Sequence, residues 1–307
     1  MSNPSGPVFG ASSGRAGDDL LLPVPARVSA SYVVAAPERV PDDPASVIAD
    51  ALKGLPVPEG REPLTVTVTE LGDDDPTLAW AREILCCPDC SPGAEAMLGE
   101  LMRTSRHHLR VTGTAGPGWP PVHLYAVARA VEALAEATGG LPLDAEAPRP
   151  LPRPWRPAIA TTPDTFAVAD WLWIGVHPDP GGYALQTTGL ARLGLPELRA
   201  EAIPVRRVTS WTRLFRALAR SLTARLFDHL SAHESATPLP IPAEPVVTTA
   251  DEALARNTPP PPEPRALTVR LRREPASPRV PVPHLVVTPG DGDPADCFPA
   301  RGHGTGG

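Results

Sequence analysis

The sequence predicts an α+β fold in two parts, a first domain over residues 23–144 and a second over residues 165–288. Segments with the two-residue alternation of strands and segments with the period of amphipathic helices occur in both parts. Between them, residues 145–160 contain five prolines, which neither a helix interior nor a sheet interior accommodates. We therefore expect a proline-rich linker at residues 145–164.

In the first domain, strand-like segments are interleaved with helical ones. Residues 64–69 place apolar side chains on one face and threonines on the other, which is typical of a strand. Residues 123–138 repeat apolar side chains at the helical period and end at Gly139-Gly140. The other expected strands cover residues 28–34, 108–112 and 141–143, and the other expected helices cover residues 43–55, 77–85 and 91–104. This order predicts a split β-α-β, or ferredoxin-like, sheet with inserted helices.

The second domain begins with a hairpin pattern. A turn sequence at residues 179–182 separates strand-like residues 166–177 from residues 183–188. Residues 198–205 follow as a third strand, and Ser210 stands where it can cap a long helix with leucines along one side. Two further strand-like segments, residues 267–271 and 282–288, are expected to add a hairpin. The pattern predicts a small antiparallel α+β unit.

The proline content predicts irregular segments outside these elements. The chain contains 43 prolines, far more than compact elements take up. Residues 1–22 and 289–307 are rich in Gly, Asp, Ser or Pro and have no apolar period, so we expect disordered tails. Residues 234–264 are expected to form a proline-rich loop within the second domain.

Charge and hydropathy narrow the class of partner. A net charge of −7 gives no general attraction for nucleic acid or for an anionic membrane, so neither is expected as a partner. The first twenty residues lack a secretory signal, and no apolar run reaches the ~20 residues that a membrane span needs. The bias toward arginine, with Lys53 the single lysine, indicates a GC-rich bacterial genome. We expect a cytoplasmic bacterial protein with reduced thiols.

Several short motifs carry a resemblance to known sequences. In the second half they are Asp170-Trp171, Thr188-Gly189-Leu190, residues 194–198 (Gly-Leu-Pro-Glu-Leu) and Trp211. In the first half they are His123, Ala128-Arg129-Ala130 and Gly139-Gly140. This combination resembles uncharacterised bacterial families of unknown function. The resemblance implies an α+β protein and brings no catalytic residue.

The cysteines at positions 86, 87 and 90 form a cluster that could bind a metal or carry out redox chemistry. Cys87 and Cys90 stand in a C-x-x-C spacing, which can chelate a metal or cycle as a dithiol. His107 or His108 and the distant Cys297 are the candidates to complete a zinc site, and no second C-x-x-C pair occurs. We favour a structural role, with metal binding or thiol redox chemistry at Cys86, Cys87 and Cys90 as the alternative.

The other chemistry-bearing residues lack a placed partner. Glu197 and Asp170 are single acids, and acid–base work normally needs two groups with separated pKa values. Pro196-Glu197 is expected to serve turn chemistry, and Trp171 and Trp173 are expected on one face of a strand as core or interface aromatics. Residues 113–118 are glycine-rich, but they lack the Gly-Lys-Ser/Thr of a phosphate loop. We therefore expect no catalytic residue and no cofactor.

An arginine stripe remains as a candidate surface. Arg213, Arg216 and Arg220 recur on one side of the predicted helix, where they could bind an acidic partner or simply face water. Together with Trp171 and Glu197 they form the predicted interaction surface. The sequence thus predicts a non-catalytic binding or protein-interaction module, with another protein as the partner and an unknown ligand.

Overall fold

Five strands of the first half form one sheet with two covering helices. The computed structural model describes residues 19–37, 40–56, 63–79, 103–144, 146–147, 149–233, 237–276, 280 and 282–299. In the first half the elements are β1 (Asp19–Leu22), β2 (Val28–Ala36), α1 (Pro44–Ala51), β3 (Thr65–Glu70), β4 (His107–Ala115), α2 (Val122–Thr138), β5 (Leu141–Asp144) and β6 (Arg149–Pro150). The sheet has the order β3-β4-β2-β5-β6, and each neighbouring pair is antiparallel.

The four predicted strands and two of the predicted helices of this half are present. Asp43 caps α1 by accepting a hydrogen bond from the Ser46 amide, and Pro44 occupies the first turn. Gly139 ends α2 in the left-handed conformation that its lack of a side chain permits. The predicted helices at residues 77–85 and 91–104 lie mostly outside the described residues.

Both faces of this sheet are apolar, but they differ in extent. On one face, Tyr32, Val34 and their neighbours join the main core beneath α2, which buries most of its residues. A side chain at Gly113 would meet the backbone oxygen of His123 at 2.7 Å, so the glycine lets α2 approach β4 closely. On the opposite face, Val33 and Ala35 belong to a second, smaller cluster.

The second half contains a six-stranded sheet and one long helix. Its elements are β7 (Trp173–Asp179), β8 (Gly182–Thr188), β9 (Glu197–Ile203), α3 (Val208–Ala232), β10 (Leu239–Pro242), β11 (Val246–Thr248), α4 (Thr249–Ala255), β12 (Ala266–Glu274), β13 (His284–Pro289) and α5 (Pro294–Cys297). The sheet order is β11-β12-β13-β9-β8-β7. Helix α3 buries its apolar side against this sheet, and the expected β12–β13 hairpin is present.

Three details of the second half differ from the prediction. The sheet is not wholly antiparallel, because β13 pairs with β9 in parallel after the chain has crossed over through α3. Helix α3 begins at Val208, so Ser210 is a buried residue of its first turn rather than its cap. Residues 166–172 are not strand: Val168–Asp170 form a 3-10 turn, and Trp171 follows it.

The predicted tails contain ordered elements. Strand β1 pairs with β10, with Leu22 opposite Leu239, and Leu22 is buried. Near the other end, Asp293 caps α5 and Phe298 is fully buried. Each of these stretches includes large apolar side chains that bury surface when the chain folds back. The same holds for the predicted loop 234–264, which contributes β10, β11 and α4.

The predicted linker is part of the core. Leu151 and Trp155 are buried, and the Trp155 ring lies 4.6 Å from Tyr32 and 5.7 Å from Trp171 between ring centroids. Trp155 therefore connects a strand of the first sheet to the second half, and one continuous hydrophobic cluster includes residues of both halves. Proline is compatible with the extended backbone of this segment, so its density did not indicate exposure.

A membrane-crossing helix is absent from the part of the chain described above: none of its helices combines the required length and apolar character. The cytoplasmic location stays a prediction.

Candidate functional site: an arginine-lined cleft

The candidate metal ligands divide between described and undescribed parts of the chain. Cys86, Cys87 and Cys90 lie outside the described residues. His107 faces Glu70, with 2.6 Å between Nδ1 and Oε1, and His108 is buried. Within the described ranges, no group of three or more His, Cys, Asp and Glu side chains is arranged to hold a metal ion. The metal hypothesis at the cysteines therefore stays a prediction.

Glu197 holds a turn together. Its carboxylate is buried and accepts hydrogen bonds from the Thr187 hydroxyl at 2.7 Å and from the amides of Gly189 and Ala191 at 2.9 Å each. The Thr187 oxygen in turn accepts the Leu198 amide at 2.7 Å. These bonds satisfy main-chain donors that would otherwise be buried without partners. The Thr188-Gly189-Leu190 motif and the Gly-Leu-Pro-Glu-Leu motif are thus joined by one set of hydrogen bonds.

Trp171 is also internal. It is buried, and its ring contacts Tyr125 and Trp155 edge to face, with centroids 5.8 and 5.7 Å away. It lies before β7, so it does not share a strand face with Trp173 as predicted. Trp171 therefore contributes to the joint between the halves rather than to an exposed surface.

The predicted arginine stripe is not a single surface. Arg220 is buried and bonds to Asp164 at 3.0 Å. Arg213 bonds to Glu252 at 3.2 Å and to the Pro299 carbonyl at 2.6 Å. Both side chains thus tie α3 to neighbouring segments of the same chain. Arg216 differs, because the described residues provide it with no hydrogen bond or ion pair.

A different arginine, Arg192, occupies the centre of the contact between the two halves. Its side chain is 1% exposed. It donates to Asp144 at 2.5 and 3.0 Å, to Glu146 at 3.0 Å and to the Tyr32 hydroxyl at 2.7 Å. The bidentate geometry with Asp144 matches the fork of a guanidinium to a carboxylate. Four of its five N–H donors are used within the chain, so this side chain is committed to the fold rather than to a ligand.

His123 lies beside this group. Its Nε2 is 2.8 Å from the Arg192 carbonyl oxygen, and its buried Nδ1 has no partner among the described residues. Burial lowers the pKa of His123 to about 4. The hydrogen bond to the Arg192 carbonyl opposes this decrease, and the positive charge of Arg192 adds to it. The ring is therefore neutral at neutral pH, with Nε2 as the donor.

An open cleft of about 720 Å³ lies where α3 and β7 meet the segment around β6, which the sequence had predicted as a linker. Arg149 comes from β6, Arg216 from α3 and Arg256 from the end of α4. The lining residues are Arg149, Ala169, Asp170, Leu172, Trp173, Ile174, Thr212, Arg216 and Arg256. We call this feature the arginine cleft.

The arginine cleft has more positive charge than acceptors to neutralise it. Of the residues that the structure describes, three arginines and one carboxylate, that of Asp170, line it. The buried Nε of Arg149 has no hydrogen-bond partner in the described residues, and its distance to Asp144 is 3.9 Å. Among the same residues, the ion-pair partner of Arg256 is Glu252, at 3.4 Å. Guanidinium donors left open in this way are the groups that bind carboxylates and phosphates.

The charged groups of the arginine cleft lie close enough together to shift one another's pKa values. Burial and the neighbouring charge of Arg256 lower the pKa of Arg216, with Arg213 adding to the effect. Partial desolvation raises the pKa of Asp170, although the residue still reaches solvent, and Arg149 opposes that rise. An anion bound between these groups would relieve the repulsion among the arginines.

No family model, curated protein or solved structure matches this chain. The resemblance of its short motifs to uncharacterised bacterial families thus stays a prediction.

Sequence reasoning included Arg216 among its candidates but missed Arg149 and Arg256. Arg149 was assigned to a linker and Arg256 to a proline-rich loop, so neither was placed beside α3. A local indication was available for α4: Thr248 and Asp251 form a capping box in the sequence Thr-Thr-Ala-Asp. It predicts a short helix, but not the element against which that helix packs.

Proposed function

We propose that this protein is a non-catalytic binding module that holds an anionic group in the arginine cleft. The observation that carries the proposal is the set of under-partnered guanidiniums of Arg149, Arg216 and Arg256 around one open space. By comparison, Arg192 has ion pairs with two carboxylates at 2.5 and 3.0 Å, whereas Arg149 and Arg256 have one each, at 3.9 and 3.4 Å, and Arg216 has none among the described residues. Open donors in a concave site favour a carboxylate or phosphate ligand.

The fold supports this role by placing residues of the arginine cleft on regular elements. Arg216 projects from a helix of 25 residues, Arg149 lies in the short strand β6, and Trp173 begins β7. A site on regular elements is held more precisely than one on loops. For the first sheet we further infer a ferredoxin-like arrangement, which its order β3-β4-β2-β5 and the helices after β2 and β4 support.

A binding experiment with simple anions tests the proposal. Phosphate, sulfate, citrate and a nucleoside monophosphate would be titrated separately into the full chain by calorimetry at low ionic strength. We expect at least one to bind, and Arg216→Gln to weaken that binding about tenfold or more, because a charge-assisted hydrogen bond is lost.

The control is Arg225→Gln, which removes the same charge from an exposed position on the same helix. Its affinity for the anion should stay within about twofold of the native value, because the substitution removes only a long-range interaction that salt screens. Equal weakening by Arg216→Gln and Arg225→Gln would show that binding depends on the net charge of the protein rather than on the arginine cleft. If none of the four anions binds, the proposal is wrong.

A further inference from the structure

Strand β7 lies at the edge of the six-stranded sheet. It pairs with β8 on one side, and in the described ranges no strand pairs with its other side. No described residue outside the sheet exchanges a main-chain hydrogen bond with it. An edge of this kind presents unpaired amide and carbonyl groups to any extended chain that approaches.

The hairpin turn determines which main-chain groups of β7 point outward. Asp179 and Gly182 flank a two-residue turn, so they form the closing hydrogen-bonded pair. Hydrogen-bonded and non-hydrogen-bonded residues alternate along an antiparallel pair, so the main-chain N–H and C=O positions of Ile174, Val176 and Pro178 point away from β8. Pro178 carries no amide hydrogen, which leaves Ile174 and Val176 as the open donors.

The open edge ends at the arginine cleft. Trp173 and Ile174, the first residues of β7, are part of the cleft lining together with the three arginines. A strand added beside β7 would rise about 3.3 Å per residue and bring one of its ends to this point. Its main chain would use the donors of Ile174 and Val176, and an acidic group at that end would face the guanidiniums.

We propose that the occupant of this site is an extended acidic segment of another protein, which adds a strand to the edge of β7. Charge complementarity selects it, because the three arginines lie at the end of the open edge. Main-chain pairing supplies affinity, and the acid fixes the register, as in other cases of strand addition. The inference rests on the proposed function, because the acidic group of this segment is the anion that the cleft binds.

A displayed library of random peptides of about eight residues, the length of an ordinary strand, tests the inference on the full chain. We expect enrichment of peptides with β-branched residues and with Asp or Glu toward one end. The best peptide should bind about tenfold or more weakly to Arg216→Gln, whereas Arg225→Gln should bind it as the native chain does. No enrichment, or enrichment without an acid, would overturn the inference.

Methylation of the peptide's own amides separates strand pairing from simple charge attraction. In a paired strand only alternate amides face β7, so N-methyl groups at one alternate set should abolish binding and those at the other set should have little effect. Amide hydrogen exchange at Ile174 and Val176 should also slow in the complex. Equal effects of both methylated sets, with no slowing, would contradict strand addition.

The two proposals fail in different ways. Binding of citrate or phosphate through Arg216 without any peptide enrichment would leave the anion site standing and overturn the strand addition. Absence of both kinds of binding would overturn both.

Discussion

Arg192 and Arg216 are both partly or fully enclosed arginines, but they differ in what surrounds them. Arg192 has two carboxylates and a phenol within hydrogen-bonding distance. Arg216 has other arginines as its charged neighbours, with Glu252 the one opposing carboxylate that influences its pKa. The comparison teaches that enclosure alone does not mark a binding site: a saturated guanidinium joins parts of the fold, and an unsaturated one is available to a ligand.

The sharpest way to break this comparison is to remove Arg192. Arg192→Met leaves Asp144 buried without its main partner, and we expect a loss of about 3–5 kcal/mol in the free energy of unfolding. Urea denaturation followed by circular dichroism measures it. Adding Asp144→Leu should recover part of the loss, since no uncompensated charge then remains. A loss below about 1 kcal/mol in the single variant would contradict the structural role.

His123 offers a pH test of the same joint. Burial lowers its pKa to about 4 in the folded chain, against 6.5 for the ordinary group. The unfolded chain therefore binds more protons between these values, and the free energy of unfolding should fall as pH decreases from 6.5 to 4, by at most about 3 kcal/mol. Denaturation midpoints at several pH values in native protein and His123→Gln measure the difference. Parallel pH profiles for the two would refute the assignment.

The smallest effect on stability is expected at Arg216. Arg216→Gln removes a repelling charge from the arginine cleft and breaks no ion pair within the described residues, so the free energy of unfolding should stay within about 0.5 kcal/mol of native or rise slightly. Thermal and urea unfolding of this variant beside Arg192→Met gives the direct contrast. A loss as large as that of Arg192→Met would mean that Arg216 is a structural residue too.

Local sequence patterns predicted most of the elements, and they did so where a segment's own residues decide its structure. Residues 64–69 and 123–138 became β3 and α2 because alternation and helical period are properties of the segment itself. The tail at Asp19–Leu22 and the segment around Trp155 were predicted wrongly, because their order depends on partners far away in the chain. The α+β class followed from the local patterns.

The candidate site was less accessible to sequence reasoning. Arg216 could be named from helical spacing, but its relation to Arg149 and Arg256 depends on the packing of three separate elements. Glu197 was expected in turn chemistry and it does hold a turn, but a single acid in a short motif does not reveal the three donors that its carboxylate binds. Burial and the number of hydrogen-bond partners, rather than residue type, distinguish the charged side chains that stabilise the fold from those that are open to a ligand.

The pairing of β1 with β10 also constrains how the chain can assemble during synthesis. Leu22 leaves the ribosome long before its strand partner Leu239 exists, so this ribbon closes only when most of the polypeptide has emerged. Until then the side of β1 that is buried in the native chain stays open to solvent. Nascent chains that stop short of β10 should therefore be more sensitive to proteases at β1 than released protein.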